Sequence, residues 1–505
     1  MCQPPANNEP ETRRVIIAGA GPAGLLLQAL LHNRNKATDA RVTYNVTMIE
    51  SRADLGQLNN EELQAHRSWM IGLAGHGLEA IKSVPDLYEK YCSDVGINVT
   101  EGNVFLGSKK ISMGGGGNEL DNGENFIVDR NFIVAALARY AKDHLADSPF
   151  YAAKYDTEML YVDYENRRVL VRNKTTKEEE YLPYDLLVGA DGIRSTVREA
   201  LVKRHFDFEL QVGDIFQTFK AVHVQRPEAL SPNSMSLLPT CFPNFNGISL
   251  PETGGLINLS MGVPRNLFDE VPSDLKSDDP SVVEKYFREN FKAFTLSDEA
   301  YVELGKQWAG QRWNRTGMVH CNRYSSLECG IVLMGDSAHA TSPSIGMGMN
   351  TALRDAQKFN ELLDKFQDDL DEVLPQYSKD RVPEGNSLTD IALNTYCFDA
   401  KVGLRTMLST MVRTGLNKIL PSLVAKDYGM LIGRPEHTLA DIYQMATEQG
   451  VLRKHRAINQ RIRHEYFERE TGMIKEKPGF SMLRRTALVV VPVAACAVAA
   501  YVKSN

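Results

Sequence analysis

Three times along this chain a short apolar run stops at glycine or aspartate and gives way to a helical pattern. Val15-Ile16-Ile17 runs into Gly19-Ala20-Gly21-Pro22-Ala23-Gly24, with Leu25, Leu26, Leu27, Leu30 and Leu31 following at helical spacing. Leu186-Leu187-Val188 runs into Gly189-Ala190-Asp191-Gly192. Ile331-Val332-Leu333-Met334 runs into Gly335-Asp336; Pro343, Gly346 and Gly348 come next, and a helix opens at Met349-Asn350. Unbroken apolar runs bounded by glycine predict strands buried on both faces of a parallel sheet. The run from Tyr44 to Ile49 predicts one more strand, ending at Glu50. Between residues 206 and 320 the period changes to two, as in Thr218-Phe219-Lys220-Ala221-Val222-His223-Val224, and an antiparallel sheet is expected.

The pattern therefore predicts an α/β protein. Residues 13–205 and 321–395 would form a Rossmann-like, doubly wound domain, and residues 206–320 an inserted antiparallel β-sheet domain for substrate. Residues 396–480 look helical, and the apolar stretch 486–502 is a candidate membrane helix. Residues 1–12, polar and rich in proline, read as a disordered lead-in, and the glycine run 114–117 as a loop.

The first junction has the order of strand, glycine turn and helix that a dinucleotide fingerprint requires. Gly19 makes the turn, Gly21 admits a pyrophosphate, and Gly24 lets helix pack on strand. Glu50 is an acceptor for ribose hydroxyls, with the polar stretch 33–41 lengthening the spacing to it. Arg52 either faces the adenine or a phosphate, or sits in solvent. At the third junction Asp336 brings a carboxylate to a ligand hydroxyl. The turn through Gly335, Pro343, Gly346 and Gly348 then offers backbone N–H groups at a helix start, where the dipole favours negative charge. A flavin dinucleotide needs both, because its ribityl hydroxyls want acceptors and its pyrophosphate is anionic. Asp191-Gly192 ends the remaining strand, so three strand ends are expected to converge on one extended cofactor, FAD.

Composition narrows the alternatives. Hydrophobic content of 43% with 24% charged residues is that of a globular protein. A net charge of −7 argues against a nucleic-acid binder. The one basic cluster, Arg453-Lys454-His455-Arg456 with Arg461 and Arg463, reads as a solvated face or a membrane-surface contact. Seven cysteines form no CxxC pair and no metal-ligand spacing, which suggests reduced thiols and no metal site.

The GxGxxG turn, the Asp191-Gly192 segment, and Gly335-Asp336-Ser337-Ala338-His339 followed by Pro343, Gly346, Gly348 and Asn350 together resemble the flavoprotein aromatic hydroxylase family. Residues 359–366, 377–383, 389–396 and 419–422, with Tyr428, are similar to its kynurenine 3-monooxygenase branch. The resemblance implies FAD contacts at Gly19, Gly21, Gly24, Glu50, Arg52, Arg130, Asp191, Gly335, Asp336, Pro343, Gly346, Gly348, Met349 and Asn350. It implies substrate contacts at Tyr428 and at a polar position that is Asn394 or Thr395. It further implies NADPH as reductant, dioxygen as co-substrate and hydroxylation of an aromatic ring, L-kynurenine to 3-hydroxykynurenine first among the options. The cofactor carries such chemistry, so no catalytic protein nucleophile is expected and His339 is read as structural.

The chain departs from the family at one point. The arginine that would grip a substrate carboxylate belongs in residues 98–108, which contain none. Either another base such as Lys109 replaces it or the substrate is a different aromatic. Two other classes share the fingerprints: a flavin-dependent reductase of isoprenoid double bonds, and a non-catalytic FAD-binding membrane protein. Oxygen incorporation separates the first from a monooxygenase, and substrate-stimulated NADPH oxidation separates the second. The uncharged residues 487–502, between Arg484-Arg485 and Lys503, would span about 24 Å as a helix, short of a hydrocarbon core of about 30 Å. Their basic flanks resemble a tail anchor of the mitochondrial outer membrane, the enzyme facing the cytosol.

Overall fold

The computed structural model describes residues 10–38, 40–66, 68–112, 125–239 and 241–472. The three apolar runs lie side by side. They form a six-stranded sheet in the order Ser325–Ser326, Ile331–Leu333, Leu186–Gly189, Glu11–Ala18, Val42–Ile49, Tyr151–Lys154. Neighbours are parallel except in the hairpin at the first edge. Every residue of Leu186–Gly189 and Ile331–Leu333 is buried, which is why these strands read as unbroken apolar runs. Ile17 stands level with Val188 on one side and Met48 on the other, so the strands end together. Helices Pro22–Asn35, Arg130–Leu145 and Gly348–Lys365 belong to this domain. The first strand begins at Glu11, inside the stretch expected as a lead-in, and residues 1–9 lie outside the described residues.

The second sheet corrects a boundary. Its order is Gln217–Gln225, Leu256–Pro264, Asn246–Glu252, Ser234–Leu238, Glu101–Leu106, Lys109–Ser112. The last two strands come from well outside residues 206–320. Without them Ser234–Leu238 would be an open edge, and unpaired backbone groups make such an edge a liability. Ser236 pairs instead with Asn103, in parallel, so the sheet is not purely antiparallel. One face carries Val222, Leu259 and Met261, packed with Phe287 and Trp308 from helices Pro280–Asn290 and Asp298–Gly310. On the other face Met235 and Leu250 pack against Met70, Val99 and Ile127.

Lys220 is buried in the first of these faces, 3% exposed, and its Nζ donates to the Trp308 carbonyl at 2.6 Å. The rings of Trp308 and Trp313 lie 5.4 and 5.1 Å away. Burial pushes its pKa down to about 8. The unfolded chain therefore holds this proton over a range where the native chain does not. The penalty is full below about pH 8 and disappears as pH rises towards the free lysine value of about 10.4. Chemical denaturation should show stability rising across that window, and Lys220→Met should flatten the rise and stabilise the protein at neutral pH. An unchanged slope in the variant would contradict this.

Residues up to Asn459 make one compact unit, and a second begins at Gln460. The region after Asn394 is helical over Ala400–Ile419, Leu439–Glu448 and Val451–Glu470. Among the described residues no helix is long and apolar enough to cross a membrane. The stretch 486–502 and the glycine run 114–117 lie outside the described residues.

Candidate active site

Three strand ends meet at one place. Gly19 has φ +104°, its N–H donates to the Ile49 carbonyl at 2.7 Å, and a Cβ there would sit 2.3 Å from the Ala190 oxygen. The first junction thus touches the end of the next strand and the residue before Asp191. Gly24 abuts the Gly19 oxygen so closely that a Cβ would lie 2.2 Å from it. Gly21 differs: its Cβ would meet nothing nearer than 3.9 Å, leaving open space in front of the helix. Pro22–Asn35 starts at Gly21 with no side-chain cap, so its first amides remain available to an anion.

Glu50 is 7% exposed, and both of its oxygens accept hydrogen bonds. Oε2 accepts from Ala20 N at 2.8 Å, and Oε1 from Arg52 N and Nε at 2.9 and 3.0 Å. Burial works to raise its pKa, but the charge and hydrogen bonds of Arg52 and the Ala20 amide hold it below the usual carboxylate range. Arg52, half exposed, is therefore tied to Glu50, and both line a small pocket with Ala20, Leu25, Val134 and Ala138. Arg130 opens the helix capped by Asp129, its guanidinium 5.7 Å from the centre of the Trp69 ring. Burial lowers its pKa, opposed by the charge of Asp336, while Arg52 and Glu50 also act on it. Arg130 thus joins Glu50, Arg52 and Asp336 in one charged neighbourhood.

At the third junction Gly335 has φ +61°, a conformation suited to glycine, and presents Asp336 outward. Asp336 is exposed between buried neighbours, and no hydrogen bond occupies its carboxylate among the described residues. Pro343–Ile345 leads to Gly346 at φ +67°, where a Cβ would meet nothing within 4 Å. Helix Gly348–Lys365 then starts without a side-chain cap, and Met349 packs against the main core. Asn350 needs correcting as a cofactor contact through its side chain. It is wholly buried: Oδ1 accepts from Ala74 N at 2.8 Å, and Nδ2 donates to the Gly72 and Gly346 carbonyls at 2.7 and 2.9 Å. Its amide clamps the glycine turn to the strand Met70–Leu73 and the helix after it.

The arrangement fits a flavin dinucleotide. Asp191 Oδ2 accepts from Val197 N at 3.2 Å, while Oδ1 is buried without a partner among the described residues, an orphan awaiting a donor. Asp336 offers free acceptors, and Gly21 and Gly346 leave room where two uncapped helices begin. Asp336→Ala should weaken FAD binding by roughly 1.5–3 kcal/mol, the worth of a charge-assisted hydrogen bond. Titration of apoprotein with FAD, followed by flavin fluorescence, checks this; an unchanged affinity would remove Asp336 from the site.

Residues 131–392, more than half of the chain, match the family described as FAD binding domain. The chain belongs to the FAD-binding aromatic hydroxylase family. It is similar to a kynurenine 3-monooxygenase of Phaeosphaeria nodorum, 26% identical over 403 residues, covering 76% of this chain and 77% of that protein. The violacein synthase of Chromobacterium violaceum is 26% identical over 396 residues, covering 76% of this chain and 85% of the relative. Among solved structures, PqsL of P. aeruginosa in complex with 2-aminobenzoylacetate superposes with a TM-score of 0.57 at 16% identity, over 77% of this chain and 98% of that one. The 2-methyl-3-hydroxypyridine-5-carboxylic acid oxygenase gives 0.57 at 17% identity, over 86% and 98%. At that identity the two structures attest the fold. As a family member the chain is an FAD-dependent monooxygenase.

In this hydroxylase Tyr428 is buried in a cluster with Ile345 and Met347, beside the third glycine turn. Burial, with the charge of Asp427, pushes its pKa up to about 12, and a hydrogen bond with Thr395 opposes this. Thr395 Oγ1 also bonds the Ile391 carbonyl at 2.8 Å. The Asn394 side chain is engaged on one side: Nδ2 donates to the Asp390 carbonyl at 2.8 Å, and the backbone carbonyl of the residue meets His455 Nδ1 at 3.0 Å. The structure thus brings Thr395 and Tyr428 together, while the Nδ2 of Asn394 braces the end of its helix. Residues 98–108 supply no cation, and Lys109 is exposed at the start of an edge strand.

Residues outside the motifs complete the site. Asp355, fully buried, accepts from Gly335 N at 2.8 Å, His339 Nε2 at 2.6 Å and Arg381 Nε at 2.7 Å. His339 is thereby a structural member of the turn. A carboxylate on the inward face of helix Gly348–Lys365 was the available signal, since carboxylates are almost never fully buried unpaired. On the sheet opposite, His223 Nδ1 lies 2.7 Å from Glu252 Oε2, and burial, which lowers its pKa, is outweighed by that partner, leaving it raised.

Proposed function

We propose that the chain is an NADPH-dependent hydroxylase of a small aromatic substrate, with L-kynurenine the first compound to test. The observation that carries this reading is the convergence of three strand ends on Asp336, Asp191 and the glycine turns, with Thr395 and Tyr428 next to the last of them. The names of the relatives support the choice of kynurenine. FAD, when bound and reduced by the nicotinamide, would supply the activation of dioxygen, one atom of which ends on the ring and the other in water. Asp336 and Asp191 would hold its ribityl hydroxyls, Glu50 its ribose, and the starts of helices Pro22–Asn35 and Gly348–Lys365 its pyrophosphate and ring. The buried surroundings of Tyr428 keep water from the reacting ring, and its hydroxyl, protonated at neutral pH, orients substrate.

The missing cation sets the affinity. A carboxylate that loses a bidentate arginine loses several kcal/mol of binding, so half-saturation by kynurenine is expected at high concentration. Tyr428→Phe should raise that concentration further and leave FAD binding intact. The test is NADPH oxidation by FAD-loaded enzyme with and without kynurenine, with the hydroxylated product identified. If kynurenine gives no stimulation, the substrate is another phenolic or anilinic compound.

We further propose that the basic-flanked stretch 486–502 anchors the enzyme to the mitochondrial outer membrane, facing the cytosol. Removing residues 484–505 should move it to the soluble fraction with flavin bound. Release of the full chain by carbonate alone would overturn the anchor.

A further inference from the structure

Helix Ala400–Ile419 is built inside out. Its inward side is polar: Thr406 Oγ1 lies 3.0 Å from His455 Nε2, and Arg413 reaches Gln449 Oε1 at 3.0 Å and Asp427 at 3.5 Å. Asn417 on the same side bonds the Val424 carbonyl. Its outward side carries Leu404, Leu408, Met411, Val412, Leu416 and Ile419, each 36 to 58% exposed. At 100° per residue these six occupy one face about 140° wide. The turn beyond extends the patch through Leu420 and Leu423, the latter 79% exposed. A helix on a water-soluble surface shows the opposite arrangement, and a contiguous apolar patch of this kind marks a contact surface.

Charge selects the partner. The helix carries two exposed cations, Lys401 and Arg405, and no acidic residue, in a chain whose net charge is −7. A second copy docked by two-fold symmetry would set these cations against themselves. Both cations fall on the same stripe, in the first turns of the helix, and aliphatic side chains with long cationic side chains at one end suit acyl chains beneath anionic headgroups. We propose that Ala400–Ile419 lies in the surface of a lipid bilayer containing anionic lipid, with its leucine-rich face among the acyl chains. The contact uses none of residues 473–505, so it goes beyond the tail anchor and does not depend on it. Because the helix is spliced between Thr395 and Tyr428, the bilayer would bear on the same stretch of chain that forms the substrate wall.

The test uses full-length, FAD-loaded protein. The five described cysteines are buried, so a Cys2→Ser, Cys496→Ser background accepts a single environment-sensitive label. The label is placed at Val412→Cys or, as a control, at the exposed Glu178→Cys. Vesicles of phosphatidylcholine, with or without phosphatidylserine, carry a quencher on the acyl chain. With phosphatidylserine present, the Val412 label should shift to the blue and lose about half its intensity or more, while the Glu178 label stays unchanged. Leu408→Glu with Leu416→Glu should abolish that quenching without altering the flavin spectrum; if this variant fails to fold, the paired labels decide alone. Vesicle-bound protein with an unquenched Val412 label means tethering by the tail alone and overturns the proposal. A label already blue-shifted without lipid, and indifferent to it, means that the chain's own tail or a second copy covers the face, and overturns it equally. Neither reading depends on turnover, so a wrong substrate assignment leaves the result unaffected.

Discussion

Asp355→Ala is expected to cost about 3–5 kcal/mol of folding stability, the penalty for leaving a buried charge without its partner. Asp355 is fully buried, and its carboxylate is the meeting point of Arg381, His339 and the Gly335 amide. Arg381 is itself 6% exposed and has no other carboxylate in contact among the described residues. Removing Asp355 strands a guanidinium and orphans a backbone N–H in the same substitution. The loss extends to the cofactor, since Gly335 sets the direction of Asp336. Burial works to raise the pKa of Asp355, but His339, Arg381 and the Gly335 amide outweigh it and hold the carboxyl low. Its contribution is therefore complete above the unfolded value of about 3.9 and is lost as pH falls through the lower native value. Urea denaturation of wild type and variant at neutral pH measures the difference. A loss below about 1 kcal/mol would show that the network adds little beyond packing.

Gly24→Ala and Gly21→Ala should fail in different ways. A Cβ on Gly24 lies 2.2 Å from the Gly19 oxygen, and backbone cannot step aside as a side chain can. The expected cost is at the upper end of the roughly 1–3 kcal/mol of overpacking, with FAD lost as a consequence. A Cβ on Gly21 meets no protein atom within 3.9 Å, so apoprotein stability should be unchanged. That methyl group would nonetheless stand where the pyrophosphate approaches, and FAD affinity should fall sharply. Melting curves of the two apoproteins beside their FAD titrations separate the cases. If Gly21→Ala binds FAD like wild type, the dinucleotide does not cross this turn.

The strand ends were legible because a strand buried on both faces must be apolar throughout, and the residue that ends it must be glycine where backbones touch. Gly19, Gly24 and Gly335 meet that demand. Residues 101–112 were not legible, because a short strand carries no mark of which sheet it joins; its place was set by the open edge of Ser234–Leu238. The motif around Asn350 pointed to a ligand, whereas its amide is consumed by Gly72, Ala74 and Gly346, contacts that no local pattern encodes. Arg381 lies 26 residues from Asp355, on a helix whose Pro375 and Pro383 look like breakers. Long-range pairing made that helix continuous, as tertiary packing often overrides propensity.

The parallel pairing of Glu101–Leu106 with Ser234–Leu238 also limits how this enzyme could exchange specificity with its kin. A graft of residues 206–320 would arrive with one border stripped, its backbone donors and acceptors free to recruit a stray strand. A viable chimera must carry 101–112 as well, two separate cassettes whose crossover points are fixed by hydrogen bonding. Point changes on the existing sheet leave that pairing intact, which makes them the simpler route to altered specificity in this fold.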